Sequence, residues 1–185
     1  MITRLSADAV GPADASDVPS PEVDLAMSPV DPDTFRAVLG RFASGVTVVT
    51  ARDAAGHDQG MTVSAFCSLS LTPPLIVVNI ARDASMHDLL GTTDYFAVNI
   101  LAAGQEALSR RFSGKDPNRF DGIGYHRGST GVALLEDVVA HLECRAAMRH
   151  PGGDHTILVG EVLSADTGTE RPLLYYRGGY AQLER

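Results

Sequence analysis

The chain has 185 residues, enough for one domain with a sizeable core, and its 44% apolar content is ordinary for a globular protein. A formal net charge of −8 speaks against a nucleic-acid-binding protein, which needs a basic face, and no run reaches the ~18 apolar residues of a membrane helix. The N-terminus lacks the basic and apolar regions of a secretory leader, and Cys67 and Cys144 make neither a CxxC pair nor a disulfide framework, so a cytoplasmic protein with two buried, inert thiols is expected.

Residues 1–32 hold five of the ten prolines, no aromatic residue, and a net charge of −5. Such a segment buries too little apolar area to offset its ordering entropy, so a disordered extension is predicted, with one folded domain over 33–185. Phe35, Val38, Leu39 and Phe42 follow the spacing of one helical face, with Asp31 or Asp33 as cap and Gly45 as stop. Val46–Arg52 is rich in β-branched residues, and a polar turn at 53–58 leads to Met61–Phe66 as a hairpin partner. Pro73-Pro74 then separates two strands, the second being the apolar run Leu75–Ala81. A short helix is predicted at Ser85–Leu90, a strand at Tyr95–Leu101 and a helix at Gln105–Phe112. Six glycines and prolines make 113–131 loop-like, and strands follow at about 138–149, 155–165 and 173–182. Many strands joined by hairpin-length turns predict a mainly β, antiparallel barrel with a few short helices.

The motifs that are missing narrow the chemistry. There is no GxGxxG, Walker A, HExxH or GxSxG, and the six histidines are dispersed with no zinc spacing, so no metal site is expected. Between Gly60 and His87, by contrast, the small hydroxyl residues Thr62, Ser64, Ser68, Ser70 and Thr72 alternate with apolar ones. A sheet that only packs a core does not need them; a sheet that receives a flat ligand with polar edges does. Arg82-Asp-Ala-Ser-Met-His87 follows a strand and opens a helix, a place where backbone N–H groups bind phosphate and where Ser85 and His87 add donors; Asp83 or Ser85 also fits there as a plain cap. His150-Pro-Gly-Gly-Asp-His155 sets an imidazole at a barrel mouth or on a surface turn. Lys115, the single lysine, fits either a phosphate contact or a solvated loop charge.

These pieces, in this order, resemble the flavin reductase family, the short-chain NAD(P)H:flavin oxidoreductases that serve two-component monooxygenases. The resemblance rests on Phe35–Thr50, Gly60–Phe66, Ser68–Pro74, Phe96–Leu101, Gly153-Asp-His155, Gly160-Glu-Val162 and Pro172–Tyr175, within roughly residues 33–183. It implies an FMN-binding split barrel acting as a homodimer. FMN or FAD would be the flavin, NADH or NADPH the co-substrate, and a flavin-dependent monooxygenase the partner. It places Met61, Thr62, Val63, Ser64 and Ala65 against the flavin ring and ribityl chain, Ala81, Ser85 and His87 at its phosphate, and His155 where the nicotinamide stacks. The chain departs from the family at Ser64-Ala65, where Ser or Asn-Ser is frequent, and at His87, where Thr or Ser is frequent.

The implied chemistry needs no catalytic triad, because the cofactor carries the electronics while the protein stacks two rings and donates hydrogen bonds. A flavin-retaining oxidoreductase on the same barrel, or a flavin-binding electron carrier without nicotinamide turnover, are the alternatives.

Overall fold

The computed structural model describes residues 28–183. In chain order the elements are α1 (Pro32–Leu39), β1 (Ser44–Gly45), β2 (Thr47–Arg52), β3 (Asp58–Val63), β4 (Phe66–Leu71), β5 (Pro74–Ala81), α2 (His87–Thr92), β6 (Tyr95–Ile100), α3 (Glu106–Ser113), β7 (Tyr125–Arg127), β8 (Ala133–Leu135), β9 (Ala140–Gly152), β10 (His155–Thr167), β11 (Leu173–Tyr176) and β12 (Gly179–Gln182). Most of the predicted N-terminal extension, residues 1–27, lies outside the described residues. Its last two residues start α1: Pro32 opens the helix, and the carboxylate of the capping Asp31 accepts from the backbone N–H groups of Asp33 and Thr34 at 3.0 Å.

Seven strands form one antiparallel sheet in the order β3-β2-β6-β9-β10-β5-β4. Its two edges are β3 and β4, yet only Ser64 and Ala65 lie between them in the chain. Two residues span at most about 7 Å, so the sheet must curl until its edges nearly meet. The Ala65 carbonyl, which accepts from Asn79 N–H at 3.0 Å, pins the link to β5. The result is an antiparallel split barrel with its seam at Ser64-Ala65. A smaller sheet, β1-β11-β12, and the β7–β8 hairpin pack outside it.

Strand β2 explains why a continuous β-branched run is needed. Val49 and Ala51 face one core with Val78, Phe96, Val98 and Leu158, while Val48 faces a second core with Leu101, Phe112, Leu135 and Leu173. A strand buried on both faces loses the alternation of a half-exposed one. Its polar groups are satisfied: the hydroxyls of Thr47 and Thr50 donate to the carbonyls of Val63 and Ala133 at 2.7 and 2.6 Å. Gly160 on β10 lets Phe96 in, since a Cβ there would lie 2.5 Å from the ring.

Several expectations need correction. Helix α1 ends at Gly40, not Gly45, because Gly40 N–H closes on the Arg36 carbonyl and the Gly40 carbonyl is taken by Arg177 N–H. Met61–Phe66 is not one strand but two, broken at the seam. Helix α2 starts two residues late, because successive turns from Ala81 to Ala84 and from Ala84 to His87 use the N–H groups first. The glycine-rich stretch 113–131 contains β7, which pairs with β8. Cys144 is buried, and that burial pushes its thiol up to about 12, but Cys67 on the edge strand is exposed.

Candidate cofactor site at the barrel seam

The turn after β5 and the turn before β10 come together because these strands pair. Ala81 is the register partner of His155, and Ile80 that of Thr156. Asn79, which holds Ala65, lies two residues before Ala81 and so shares its face of β5. Ala65, Ala81 and His155 therefore lie along one stretch of the seam, although the sequence separates them by up to ninety residues. The turn Gly152-Gly153-Asp154 carries His155, with Gly153 at φ 68°, a conformation that glycine adopts without strain. His155 Nδ1 lies 2.7 Å from the Asp154 carboxylate, and this hydrogen bond with the ring holds the Asp154 carboxyl below its usual range. Arg82 N–H donates to the Asp154 carbonyl at 3.0 Å and locks the two turns together.

Three cavities follow one another from this point. The first, about 330 Å³, is lined by Ala81, Arg82, Asp83, Gly153 and Asp154. Asp83 also lines the second, about 210 Å³, together with Met61, Thr62, Ser85 and Lys115. Thr62 and Ser113 in turn line the third, about 370 Å³, with Ser64, Arg110, Tyr175 and Tyr180. Together they form a trough: the second and third run along β3 and α3, and the first, between the turns after β5 and before β10, adjoins them at Asp83.

The trough's walls are built by close packing. Helix α3 sits on β3 because Gly60 has no side chain: a Cβ there would meet the Phe112 ring at 2.6 Å. Thr62 Oγ1 donates to the Ser109 carbonyl at 2.7 Å, and Ser109 Oγ lies 2.9 Å from Tyr180 Oη. Arg119 is buried and committed to backbone, donating to the carbonyls of Asp116 and Gly60 at 2.9 and 2.6 Å. That anchors the loop carrying Lys115, an exposed cation without an ion-pair partner among the described residues.

Of the residues singled out in the sequence, Met61, Thr62 and Ser85 meet in the middle cavity, Ser64 enters the third and Ala81 the first. Val63 does not face the trough: its side chain is 5% exposed within the core, and its carbonyl is taken by Thr47. His87 lines none of the three cavities; its Nε2 lies 2.9 Å from Thr156 Oγ1, one residue from His155. Sequence reasoning missed Asp83, Arg110, Tyr175 and Tyr180 as trough residues. None of these carried a ligand signal in the sequence, whereas Lys115 did as the single lysine.

Among the described residues no helix is long and apolar enough to cross a membrane, and no three metal-ligating side chains converge. The trough offers hydroxyls, backbone groups and basic side chains such as Lys115 and Arg110 to a ligand. The family profile described as "Flavin reductase like domain" matches residues 39–184. The flavin reductase (NADH) of Kitasatospora aureofaciens is 42% identical over 164 residues, covering 86% of each chain. The reductase subunit HsaB of a flavin-dependent monooxygenase from Rhodococcus jostii is 37% identical over 161 residues, covering 86% of this chain and 82% of HsaB. Among solved structures, the NADH:FAD oxidoreductase SgcE6 of Streptomyces globisporus, in complex with NAD and FAD fragments, superimposes with a TM-score of 0.79 at 37% identity, over 85% of this chain and 98% of that one. Seam, trough and likeness lead to one conclusion: the chain belongs to the flavin reductase like family.

Proposed function

We propose that this chain is an NAD(P)H-dependent flavin reductase that passes hydride from the nicotinamide to FMN or FAD and supplies reduced flavin to a partner monooxygenase. The observation that carries the reading is the trough itself, which runs from the turn carrying His155 to the Ser85–Lys115 cavity. A bound flavin supplies the hydride-accepting ring. The chain's own residues hold and orient. Lys115 and the Ser85 hydroxyl face a phosphate in the middle cavity. The backbone at Thr62–Ala65 forms the wall beside the ring, Ala81 lies toward the phosphate, and His155 stands where a nicotinamide reaches that ring. His87 braces the His155 strand through Thr156.

Asp83 shares the cavity with Lys115 and lowers its net positive charge. That favours exchange of a phosphate ligand over retention, and hence release of reduced flavin rather than a permanently held prosthetic group. Hydride transfer then depends on stacking two rings in reacting geometry, a task for shape and hydrogen bonds.

The functional unit in this proposal is a cytoplasmic homodimer. Phe35, Val38 and Leu39 on α1 are 54%, 61% and 51% exposed, and Leu71 on the edge strand β4 is 88% exposed. The exposed apolar face of α1 has the character of an interface, and in this proposal a second copy of the chain covers it. The exposed, unpaired Cys67 suits a reducing compartment.

The test is NADH and NADPH oxidation with riboflavin, FMN and FAD in turn. Turnover that saturates with added free flavin is expected. A yellow cofactor that survives dialysis, with no stimulation by free flavin, favours the flavin-retaining alternative. No oxidation with any flavin by folded protein removes both enzyme readings.

A further inference from the structure

We propose that His87 is a positioning residue for the reaction: it fixes the placement of His155 from outside the trough, and the flavin phosphate that the sequence suggests for it is not its ligand. The inference rests on the flavin reductase reading above and deepens it. The loop 82–87 is tied to the start of β10 at two points, one on each side of His155. Before it, Arg82 N–H donates to the Asp154 carbonyl at 3.0 Å. After it, His87 Nε2 lies 2.9 Å from Thr156 Oγ1. The first tie is backbone to backbone and does not depend on the side chains present. The second exists only because this chain has an imidazole at 87 and a hydroxyl at 156. His87 is committed to it, with 24% of its side chain exposed. Ser85 lies between the two ties and lines the middle cavity with Lys115.

Strand geometry sets what the second tie can do. Successive side chains of a strand point to opposite faces, so His87 holds β10 from the face opposite to that of His155 and leaves the His155 ring free to meet a ligand. The bond to Thr156 restrains the first residues of β10, and the Asp154 carboxylate, 2.7 Å from Nδ1, restrains the ring itself. Together they leave Nε2 as the polar atom that His155 presents. His87 is badly placed for a phosphate. It lines none of the three cavities, and its second nitrogen, Nδ1, lies 3.3 Å from the Asp88 carboxylate, which repels an anion. A threonine at 87 would keep a hydroxyl but stop short of Thr156, so the reach of the imidazole is the feature that matters. Misplacing reacting groups by about 1 Å through a distant change can cost about a hundredfold in rate, so one hydrogen bond beside His155 registers in turnover.

The experiment uses the full chain with His87→Ala, His87→Thr, His87→Gln, Thr156→Val and His155→Ala. Each is measured for FMN Kd by fluorescence and for NADH-dependent kcat and KM. His87→Ala, His87→Thr and Thr156→Val are each expected to lower kcat about fivefold, the equivalent of one hydrogen bond, with FMN Kd within about twofold. His87→Gln, whose amide has the reach to bond Thr156, is expected to restore most of the loss. In the His155→Ala background, His87→Ala is expected to cost nothing further, because the ring it acts through is gone. In flavin-free protein the NMR signals of the His155 ring are expected to shift between wild type and His87→Ala. Where His87→Ala folds poorly, Thr156→Val breaks the same bond from the other side. Weaker FMN with kcat unchanged would make His87 a phosphate ligand and overturn the proposal, as would a wild-type kcat in His87→Thr. Losses that add in full in the double variant would also overturn it, since a merely structural role gives that result. Failure of wild type to oxidise NADH with any flavin is a separate result: it removes the reductase reading, and the His155 signals then decide alone whether His87 positions that ring.

Discussion

Replacing Glu143 with glutamine should destabilise the fold in a way that depends on pH. Glu143 is 4% exposed on β9, and its carboxylate accepts four hydrogen bonds. They come from Ser129 N–H and Oγ at 3.0 and 3.1 Å, and from Thr130 N–H and Oγ1 at 2.9 and 2.6 Å. No water can replace it easily, since even a Cβ on Gly128 would lie 2.3 Å from the carboxyl carbon. Glutamine keeps one acceptor oxygen and turns an NH2 group toward the other pair. A hydroxyl can rotate away, but a backbone N–H cannot, so one hydrogen bond to a charged group is lost and a buried donor is left facing a donor. The expected cost is about 2–4 kcal/mol near neutral pH. Burial pushes the Glu143 carboxyl up, but the hydrogen bonds from Thr130 and Ser129 outweigh it and hold the pKa below the usual range. A depressed folded-state pKa contributes stability above the unfolded value that is lost as the pH falls through the folded value. The gap between wild type and Glu143→Gln should therefore shrink as the pH drops from about 5 toward 3. Urea unfolding of both proteins across this range measures it. Equal stability at pH 7, or a gap that persists undiminished in acid, would refute the argument.

Gly60→Ala should cost about 1–3 kcal/mol and raise flavin Kd, because the new methyl meets the buried Phe112 ring that carries α3 against β3; thermal unfolding and flavin fluorescence report the two effects. Ser85→Asp sets a second carboxylate beside Asp83 and should weaken FMN at least about tenfold, read by fluorescence titration; unchanged affinity would move the phosphate elsewhere. His155→Ala should lower NADH-dependent kcat about tenfold while flavin Kd stays within about twofold; equal losses would count against a nicotinamide contact. A chain beginning at Ser28 keeps the Asp31 cap and should fold and turn over at the full rate, whereas one beginning at Asp33 should lose about 1 kcal/mol from α1, measurable by thermal unfolding.

The barrel was legible because its signals are local. Val46–Arg52, Leu75–Ala81 and Tyr95–Leu101 announce themselves by β-branched and apolar runs, and Pro73-Pro74 marks the β4–β5 turn. Errors arose where a glycine was read as a stop or as a sign of loop. Gly45 sits in β1 while Gly40 does the capping, and the glycines of 113–131 conceal β7. The broken strand at Ser64-Ala65 was illegible for a different reason: nothing in Met61–Phe66 departs from strand composition, and the break exists only because the barrel's two edges must be joined there.

By itself, the order of short strands, hairpin turns and hydroxyl-bearing segments determined an antiparallel β domain and the stretch Gly60–His87 as the place to look for a ligand. Only the tertiary structure decided which parts of that stretch share a cavity. Pairing of β5 with β10 brought Ala81 to His155, and docking of α3 on Gly60 brought Lys115 to Ser85. The β11–β12 hairpin set Tyr175 and Tyr180 beside Arg110 of α3 at the far end of the same trough. Sequence patterns report periodicity over a few residues, whereas a binding site is made by strands that are neighbours in the sheet and remote in the chain.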